Sequence, residues 1–584
     1  MTLESARVPV PGYNPQAEIN SKACLMMEGD GSASLIWPFC LCARNSTHTD
    51  AVWNQIFFTP SSRNSGKKKM KSAARVATTS LRAVRVLRNV VEKSWKLEAA
   101  WKHETQSLPK HESQLLRDVS SGTLRHLHEY SRLIDYCAPS HQLTDDVVLR
   151  LLAASTLYQI HHSERSPSTA VLSQGATQCC APLERPWASR FLSAMFHTLS
   201  QLSERELRDT HTSASRLSLP EWLYERLRAD DRHALAKYGP ILLQRPDSLC
   251  VCVPKDRERY VRRLRAAGFR ASASEFAPFA VHLHARPRDV EGALPGLSER
   301  AVHVQDAVQQ YGPGLLRKMA PGDRVLDACA APGGKSLALL AHQPTISLVA
   351  LDKNPRKVRG LREALSRVRA RRGAGVQADA TTAHGAHGMS PSVLCADAAD
   401  VDTWWDGRRF SAIIVDPPCT ATGLMRALPE VKVHRTAADL SPLNELQLRL
   451  LRSLWPLLEE GGELLYSTCS ILACENDGVI GAFVREMGDA RPSRLSRPQG
   501  AMCASRPHGG LVFYPSERHQ GGFVALLRKS SCRDILGDRG SPLTTQRMRA
   551  TNKSQDQDRS NSVPRALRRV RRRVRSKPHW SPNF

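Results

Sequence analysis

The stretch Val325-Leu326-Asp327-Ala328-Cys329-Ala330-Ala331-Pro332-Gly333-Gly334-Lys335 decides how this chain is read. An apolar run that begins as a strand breaks at a tight turn and gives way to a helix near Lys335. Gly333 and Gly334 tolerate positive φ and let a ligand approach the backbone closely. The first turn of the helix presents N–H groups with no partner inside it. Strand, turn and helix in this order open an α/β unit. A triphosphate-binding loop needs G-x-x-x-x-G-K-[ST]. Gly334-Lys335-Ser336 supplies the end of that phrase, but Cys329 stands where its first glycine belongs, and that reading is set aside.

Working outward, SLVALD (Ser347–Asp352), AIIVD (Ala412–Asp416) and ELLYSTC (Glu463–Cys469) are further β-rich runs separated by helical stretches. They predict a parallel sheet covered by helices on both faces, closing near Lys529 after GGFVALLRK. Ligands of such sheets sit beyond the carboxyl ends of the strands. Asp352 closes the second strand, where its carboxylate suits ribose hydroxyls. Asp397, in CADAADVDTWW, falls one strand later and suits an adenine amino group. Asp379, in QADATT, is the alternative for that role, and Asp397 is preferred. A single strand-end aspartate is ordinarily a cap or turn residue; several in register with a glycine turn point to a nucleoside cup.

Two phrases carry thiols just past apolar runs: VDPPCTATG, with Asp416 and Cys419, and LLYSTCS, with Cys469. Taken alone, a strand-end cysteine is ordinarily inert core. An acid beside one thiol, a second thiol and a cofactor loop describe a more specific chemistry. Carbon 5 of a pyrimidine is a poor nucleophile until something adds to C6, and a thiolate is the soft nucleophile suited to that addition. A thiol with an ordinary pKa of about 8.5 is mostly protonated at neutral pH. Such a site must therefore favour the thiolate or remove the proton as the base enters. The acid-proline-proline phrase of enzymes that methylate exocyclic nitrogen continues with an aromatic residue. Here Cys419 follows, and that chemistry leaves Cys469 unexplained.

These phrases resemble the RsmB (Sun/Fmu) type of ribosomal RNA cytosine-5 methyltransferase. The matching stretches are VQDAVQQ (Val304–Gln310), DACAAPGGK, DPPCTATG, the Arg426, Pro429, Lys432 and Arg435 segment, ELQLRLLRSLWPLLEEGGELLYSTCS and GGFVALLRK. LLRDVSSGTLRHL and LLAASTLYQIHHSERSPSTAV are similar to that family's NusB-like domain. The resemblance implies a Rossmann-like, S-adenosylmethionine-dependent domain preceded by an all-α NusB-like RNA-binding domain. It implies Cys469 as the nucleophile on cytosine C6, Cys419 as the thiol that assists release, Asp416 on N3 and the exocyclic amine, and Lys335 orienting Asp416. Cys329, Ala330, Ala331, Pro332, Gly333, Gly334 and Lys335, with Asp352, Asp397 and Asp416, would line the S-adenosylmethionine site. The chain departs from the family in reading DPPC for DAPC and in carrying CVCVPK where arginine-valine-asparagine is usual. It also has an insertion of roughly twenty residues around Arg371 to Gly388. DNA cytosine methylation places its nucleophile in the proline-cysteine phrase and does not need Cys469. A non-catalytic RNA-binding assembly factor would not need the thiols, and a tRNA cytosine-5 methyltransferase would share them.

The expected organisation is a flexible extension over 1–71 and an all-α domain over 72–204. A linker with a small α+β RNA-binding subdomain follows over 205–300, then the methyltransferase domain over 301–529 and a basic disordered tail over 530–584. The linker proper is expected around Thr210 to Leu219, and Asp256 is placed to cap a basic helix over Arg257–Ala267. Net charge is +27, and the tail from Ser531 holds 14 Lys and Arg against 4 acids, so most of the excess lies elsewhere. Such a balance points to a polyanionic partner, here RNA and ribosomal RNA first. No apolar run approaches the roughly 20 residues that span a bilayer. Fifteen cysteines without a C-x-x-C give neither a zinc framework nor a disulfide framework and suit a reducing compartment. A soluble intracellular monomer without a metal is expected. Bacterial cytoplasm, eukaryotic organelle and nucleolus all fit the residues.

Overall fold

The computed structural model describes residues 63–138, 145–162, 168–246, 248–253, 256–285, 287, 290–297, 302–373 and 391–530. Asp379, the basic tail, most of the Arg371 to Gly388 insertion and the extension as far as residue 62 lie outside them.

The first helix, α1 (Arg63–Val91), begins before the expected boundary at 72. It is followed by α2 (Leu97–Thr105), α3 (Lys110–Arg125), α4 (Leu127–Cys137), α5 (Val147–His162), α6 (Thr169–Gln178) and α7 (Ala188–Gln201). On α3 the buried Leu116, Val119 and Leu124 recur at helical spacing and form one inward stripe. Along α5 every residue from Leu151 to Gln159 is buried, so it is the central helix of the bundle. It lies tight against α3 at Gly122, where an added Cβ would fall 2.0 Å from the Tyr158 ring.

The stretch expected as a linker is instead structural. Thr212 caps a short helix by accepting from the Ser215 N–H (3.1 Å). The helix α8 (Glu221–Tyr238) then sends Leu223, Leu227, Leu235 and Tyr238 into the same core as the strand residues Leu326, Ile413 and Tyr466. The Tyr514 hydroxyl donates to Asp231 (2.8 Å), fastening α8 to the far end of the chain. Its apolar spacing carried no sign of which domain it would join.

A small antiparallel sheet follows: β1 (Leu249–Cys252), α9 (Arg257–Ala266), β2 (Ala271–Ala273), β3 (Ala280–Leu283) and β4 (His303–Val304), in the order β2-β3-β1-β4. Asp256 adopts φ 47° and caps α9 by accepting from the Arg259 N–H (3.0 Å). The fourth strand lies beyond residue 300, so this unit and the next interlock in sequence.

The main sheet comprises β5 (Arg324–Ala328), β6 (Ser347–Asp352), β7 (Ser392–Cys395), β8 (Phe410–Val415), β9 (Leu458–Thr468), β10 (Ala490–Pro492), β11 (Cys503–Ser505), β12 (Leu511–Phe513) and β13 (Gly522–Lys529). Its order is β11-β12-β13-β9-β8-β5-β6-β7, with β10 pairing β13. From β9 to β7 it is parallel as expected; β13 joins β9 antiparallel, and β10, β11 and β12 continue that sense. Alternate residues serve opposite cores: Leu326, Ile413 and Leu464 face one, Val325, Ala412 and Leu465 the other. The chain leaves β5 toward β6 and β7 and later returns to β5's other side as β8. The switch point therefore lies above the carboxyl ends of β5 and β8, where crevices form in such sheets.

The Arg426 to Arg435 segment joins the helical bundle to this sheet. Arg125 Nη2 donates to the Arg426 carbonyl (3.3 Å), and Lys432 Nζ returns to the Arg125 carbonyl (3.1 Å). His128 Nε2 bonds the Lys432 carbonyl (3.2 Å), and His434 Nε2 bonds that of Val90 (2.9 Å). Lys432 is 1 % exposed; burial, with Arg125 adding, pulls its ammonium down to about 7. The unfolded chain thus binds this proton more readily between about pH 7 and 10.5, so the penalty is full below 7 and fades as pH rises. Lys432→Met should accordingly raise the melting temperature relative to wild type more at pH 6.5 than at pH 9.5. Thermal denaturation of both proteins at the two pH values measures the gap.

Candidate active site

The quoted glycine loop is seated on its neighbours by backbone bonds. The Ala330 N–H donates to the Leu351 carbonyl at the end of β6 (2.8 Å), and the Asp416 N–H reaches the Ala328 carbonyl of β5 (3.4 Å). Cys329 adopts φ 62° and Gly333 φ 108°. At Gly333 an added Cβ would also stand 2.9 Å from Leu361, so this turn needs glycine for its backbone and for its packing. The helix α10 (Gly334–His342) starts directly after it.

Asp352 is 7 % exposed and accepts from the Ala331 N–H (3.2 Å) and the Asn354 N–H (2.9 Å). It therefore locks the loop at the carboxyl end of β6. Asp397 lies two residues past β7; it accepts from the Ala399 N–H (3.0 Å) and lies 3.8 Å from the Arg449 guanidinium. Burial first, and then Asp416, Asp352, Asp327 and Asp397, push the Cys329 thiol up to about 12. Four carboxylates thus surround this loop, and the Lys335 ammonium among them is committed to Asp416. Asp352 and Asp397, which Lys335 does not neutralise, suit a cofactor bearing a sulfonium and an ammonium group better than a phosphate. The residues present fit S-adenosylmethionine.

Lys335 is 6 % exposed and donates to Asp416 Oδ2 (2.6 Å) and to Gln309 Oε1 (2.5 Å). Asp416 is half-buried, and Lys335 bonds one of its two oxygens. Beneath them Asp327 is wholly buried and takes a hydrogen bond from Ser336 (2.5 Å); burial, opposed by Ser336, pushes its carboxyl up to about 7. Neither Gln309 nor Asp327 was singled out from sequence, although both lie inside phrases that were. An acid within an apolar strand was the available signal for Asp327.

The two thiols meet. Cys419 Sγ and Cys469 Sγ are 3.2 Å apart, Cys419 buried and Cys469 partly exposed. The hydrogen bond to Cys469 first, and then burial, push the Cys419 thiol well above its ordinary range. This favours the protonated form of Cys419, while either sulfur can be the donor in the pair. Arg435 steadies its loop by donating to the carbonyls of Thr420 (3.2 Å) and Cys419 (3.3 Å). Cys395 is exposed and Cys474 half-buried, and no hydrogen bond joins either to this pair.

Gly423, which ends the DPPCTATG phrase, clamps the second thiol's loop. Its N–H donates to the Cys469 carbonyl (2.9 Å) and its carbonyl accepts from the Gly521 N–H (2.9 Å). An added Cβ would fall 2.5 Å from the Gly521 backbone and 2.7 Å from the Cys469 carbonyl. Backbone cannot yield as a side-chain tip can. Gly423→Ala should cost about 1–3 kcal/mol and displace Cys469; denaturant unfolding and alkylation of Cys469 by iodoacetamide measure the two effects.

Among the described residues no cluster of three or more His, Cys, Asp or Glu is placed to hold a metal ion, and no helix is long and apolar enough to cross a membrane.

The family model for 16S rRNA methyltransferase RsmB/F matches residues 315–528. Ribosomal RNA small subunit methyltransferase B of Pseudomonas syringae pv. tomato is 33% identical over 433 residues, covering 72% of this chain and 90% of that protein. The protein of the same name from Pseudomonas putida is 32% identical over 461 residues, covering 77% and 98%. The crystal structure of PH0851 aligns with a TM-score of 0.60 over 77% of this chain and 98% of that one, at 20% identity, a likeness of fold. The chain belongs to the 16S rRNA methyltransferase RsmB/F family, S-adenosylmethionine-dependent RNA methyltransferases built on a Rossmann-like domain.

Proposed function

We propose that this protein methylates C5 of a cytosine in small-subunit ribosomal RNA through a transient bond between Cys469 and C6. The observation that carries this reading is the 3.2 Å contact between one partly exposed and one buried thiol, next to the Lys335–Asp416 ion pair. The Cys469 sulfur adds to C6 and electron density moves into the ring. Asp416, held by Lys335, faces N3 and the exocyclic amine; the proton released by the Cys469 thiol passes through Asp416 to N3 and offsets the charge that builds there. The glycine loop, Asp352 and Asp397 hold S-adenosylmethionine, which when bound supplies the methyl group taken up by C5. Transfer of the C5 proton to water, with the N3 proton returned through Asp416, restores the ring double bond and expels the Cys469 sulfur; Cys419 offers that departing sulfur its proton and regains one from solvent.

The basic chain is drawn to RNA by its charge, and the helical bundle with the small sheet supplies surface outside the catalytic crevice. We read the protein as a monomer acting within the cell. Bisulfite sequencing of ribosomal RNA, with and without the protein, tests the substrate. One small-subunit cytosine should lose its methyl group when the protein is absent. Unchanged ribosomal RNA together with a lost tRNA methylation would reassign the substrate.

A further inference from the structure

We infer that Glu475 is a positioning residue for methyl transfer: one buried carboxylate holds the residues that follow both thiols, and thereby keeps the two sulfurs in register. The inference rests on the cysteine roles proposed above. Glu475 is 0 % exposed. Its Oε1 accepts from the Thr420 N–H (2.8 Å) and from Gln447 Nε2 (3.3 Å). Its Oε2 accepts from the Thr420 hydroxyl (2.5 Å) and the Ser470 hydroxyl (2.6 Å). Thr420 follows Cys419 and Ser470 follows Cys469, so a single side chain spans the two loops across fifty residues of sequence. The Tyr466 hydroxyl fixes the hub from below by donating to the Glu475 carbonyl (2.8 Å). The next residue, Asn476, accepts from the Thr468 hydroxyl (2.6 Å) and donates to the Ser470 carbonyl (2.9 Å).

Among the described residues no ion pair neutralises this carboxylate. A charge out of water and balanced by hydrogen bonds alone is a costly way to fill space, since an apolar side chain would pack the same volume without desolvation. The arrangement makes sense where position matters more than stability. The charge also helps, after the contact with Cys469 and burial, to keep the proton on Cys419. Nothing in the residue types near Glu475 announces this role. It emerges only when the ends of β8 and β9 are brought together.

The test uses the full chain and an unmodified transcript of small-subunit ribosomal RNA, with four variants. Glu475→Gln keeps the shape and should lower kcat by about a hundredfold, with KM for RNA unchanged. Thr420→Val loosens the Cys419 loop, so release slows and a covalent RNA adduct accumulates on a denaturing gel. Ser470→Ala loosens the Cys469 loop, so the adduct forms more slowly in single turnover. That opposite partition is what a merely structural role would not produce, and it remains readable if Glu475→Gln fails to fold. Wild-type kcat for Glu475→Gln, a loss lying wholly in KM, or a lowered melting temperature with unchanged kcat per folded molecule would each overturn the inference. So would identical adduct behaviour of the Thr420 and Ser470 variants. Cys469→Ala runs alongside as the reference: if it still transfers methyl groups, the cysteine roles themselves fail. If it is silent while Glu475→Gln is normal, only the Glu475 assignment fails.

Discussion

Cys469→Ala abolishes methyl transfer, lowering kcat by about four orders of magnitude or more, as loss of a nucleophile does where no other group can form the bond. The fold should survive. The Cys469 side chain is partly exposed, and its backbone carbonyl keeps the bond from Gly423 whatever the side chain is. Methyl incorporation into RNA and the melting temperature, measured on one preparation, separate the two effects. Retained transfer in a folded variant would sink the proposed mechanism, because Cys419 is buried and its surroundings favour the protonated thiol.

Cys419→Ala should give a different defect. The nucleophile and the Lys335–Asp416 pair are intact, so the bond to C6 forms. Expulsion then lacks the neighbour that stands 3.2 Å from the departing sulfur. The variant should accumulate a protein–RNA adduct, seen as a retarded band in denaturing electrophoresis, while turnover falls about a hundredfold or more. The double variant Cys419→Ala/Cys469→Ala should show no band. A band persisting there would mean that another group attacks the base. These two results, with the partition expected of the Thr420 and Ser470 variants, resolve attack from release.

The family's alanine in DAPC is Pro417 here, and Asp416 and Cys419 nevertheless retain their separation along the chain. Asp416 still meets Lys335 and Cys419 still meets Cys469. This departure therefore leaves the two contacts of the reacting centre in place. Asp397 is a plainer case. It bonds its own turn through Ala399 as an ordinary strand-end aspartate does, and it also contributes to the ring of carboxylates around Cys329.

How far the site was legible follows from the range of each interaction. The glycine turn, Asp352 and the Asp256 cap are local devices, in which a residue bonds backbone a few positions away or ends a strand of recognisable length. Their signals lie within a single window of sequence. Gln309, Glu475 and Lys432 act on partners 26, 55 and 307 positions distant, and no window contains both partners. Lys432 illustrates the difficulty. A lysine between two valines gives no sign of its partner, yet the fold leaves it only 1 % exposed. The same applies to β13: the GGFVALLRK run marks the closing strand, and only its pairing with β9 fixes its antiparallel sense.

By itself the sequence determined the α/β class, the parallel strands from β5 to β9, the glycine loop that follows β5 and the two thiols at strand ends. Each of these depends on backbone preference and on the alternation of apolar residues, which are properties of neighbouring residues. Only the tertiary structure decided that the sulfurs touch, that one carboxylate serves both loops and that the helical bundle seals Lys432. Those outcomes depend on which strand ends the sheet order places side by side and on what burial then does to each charge, and both are properties of the assembled chain.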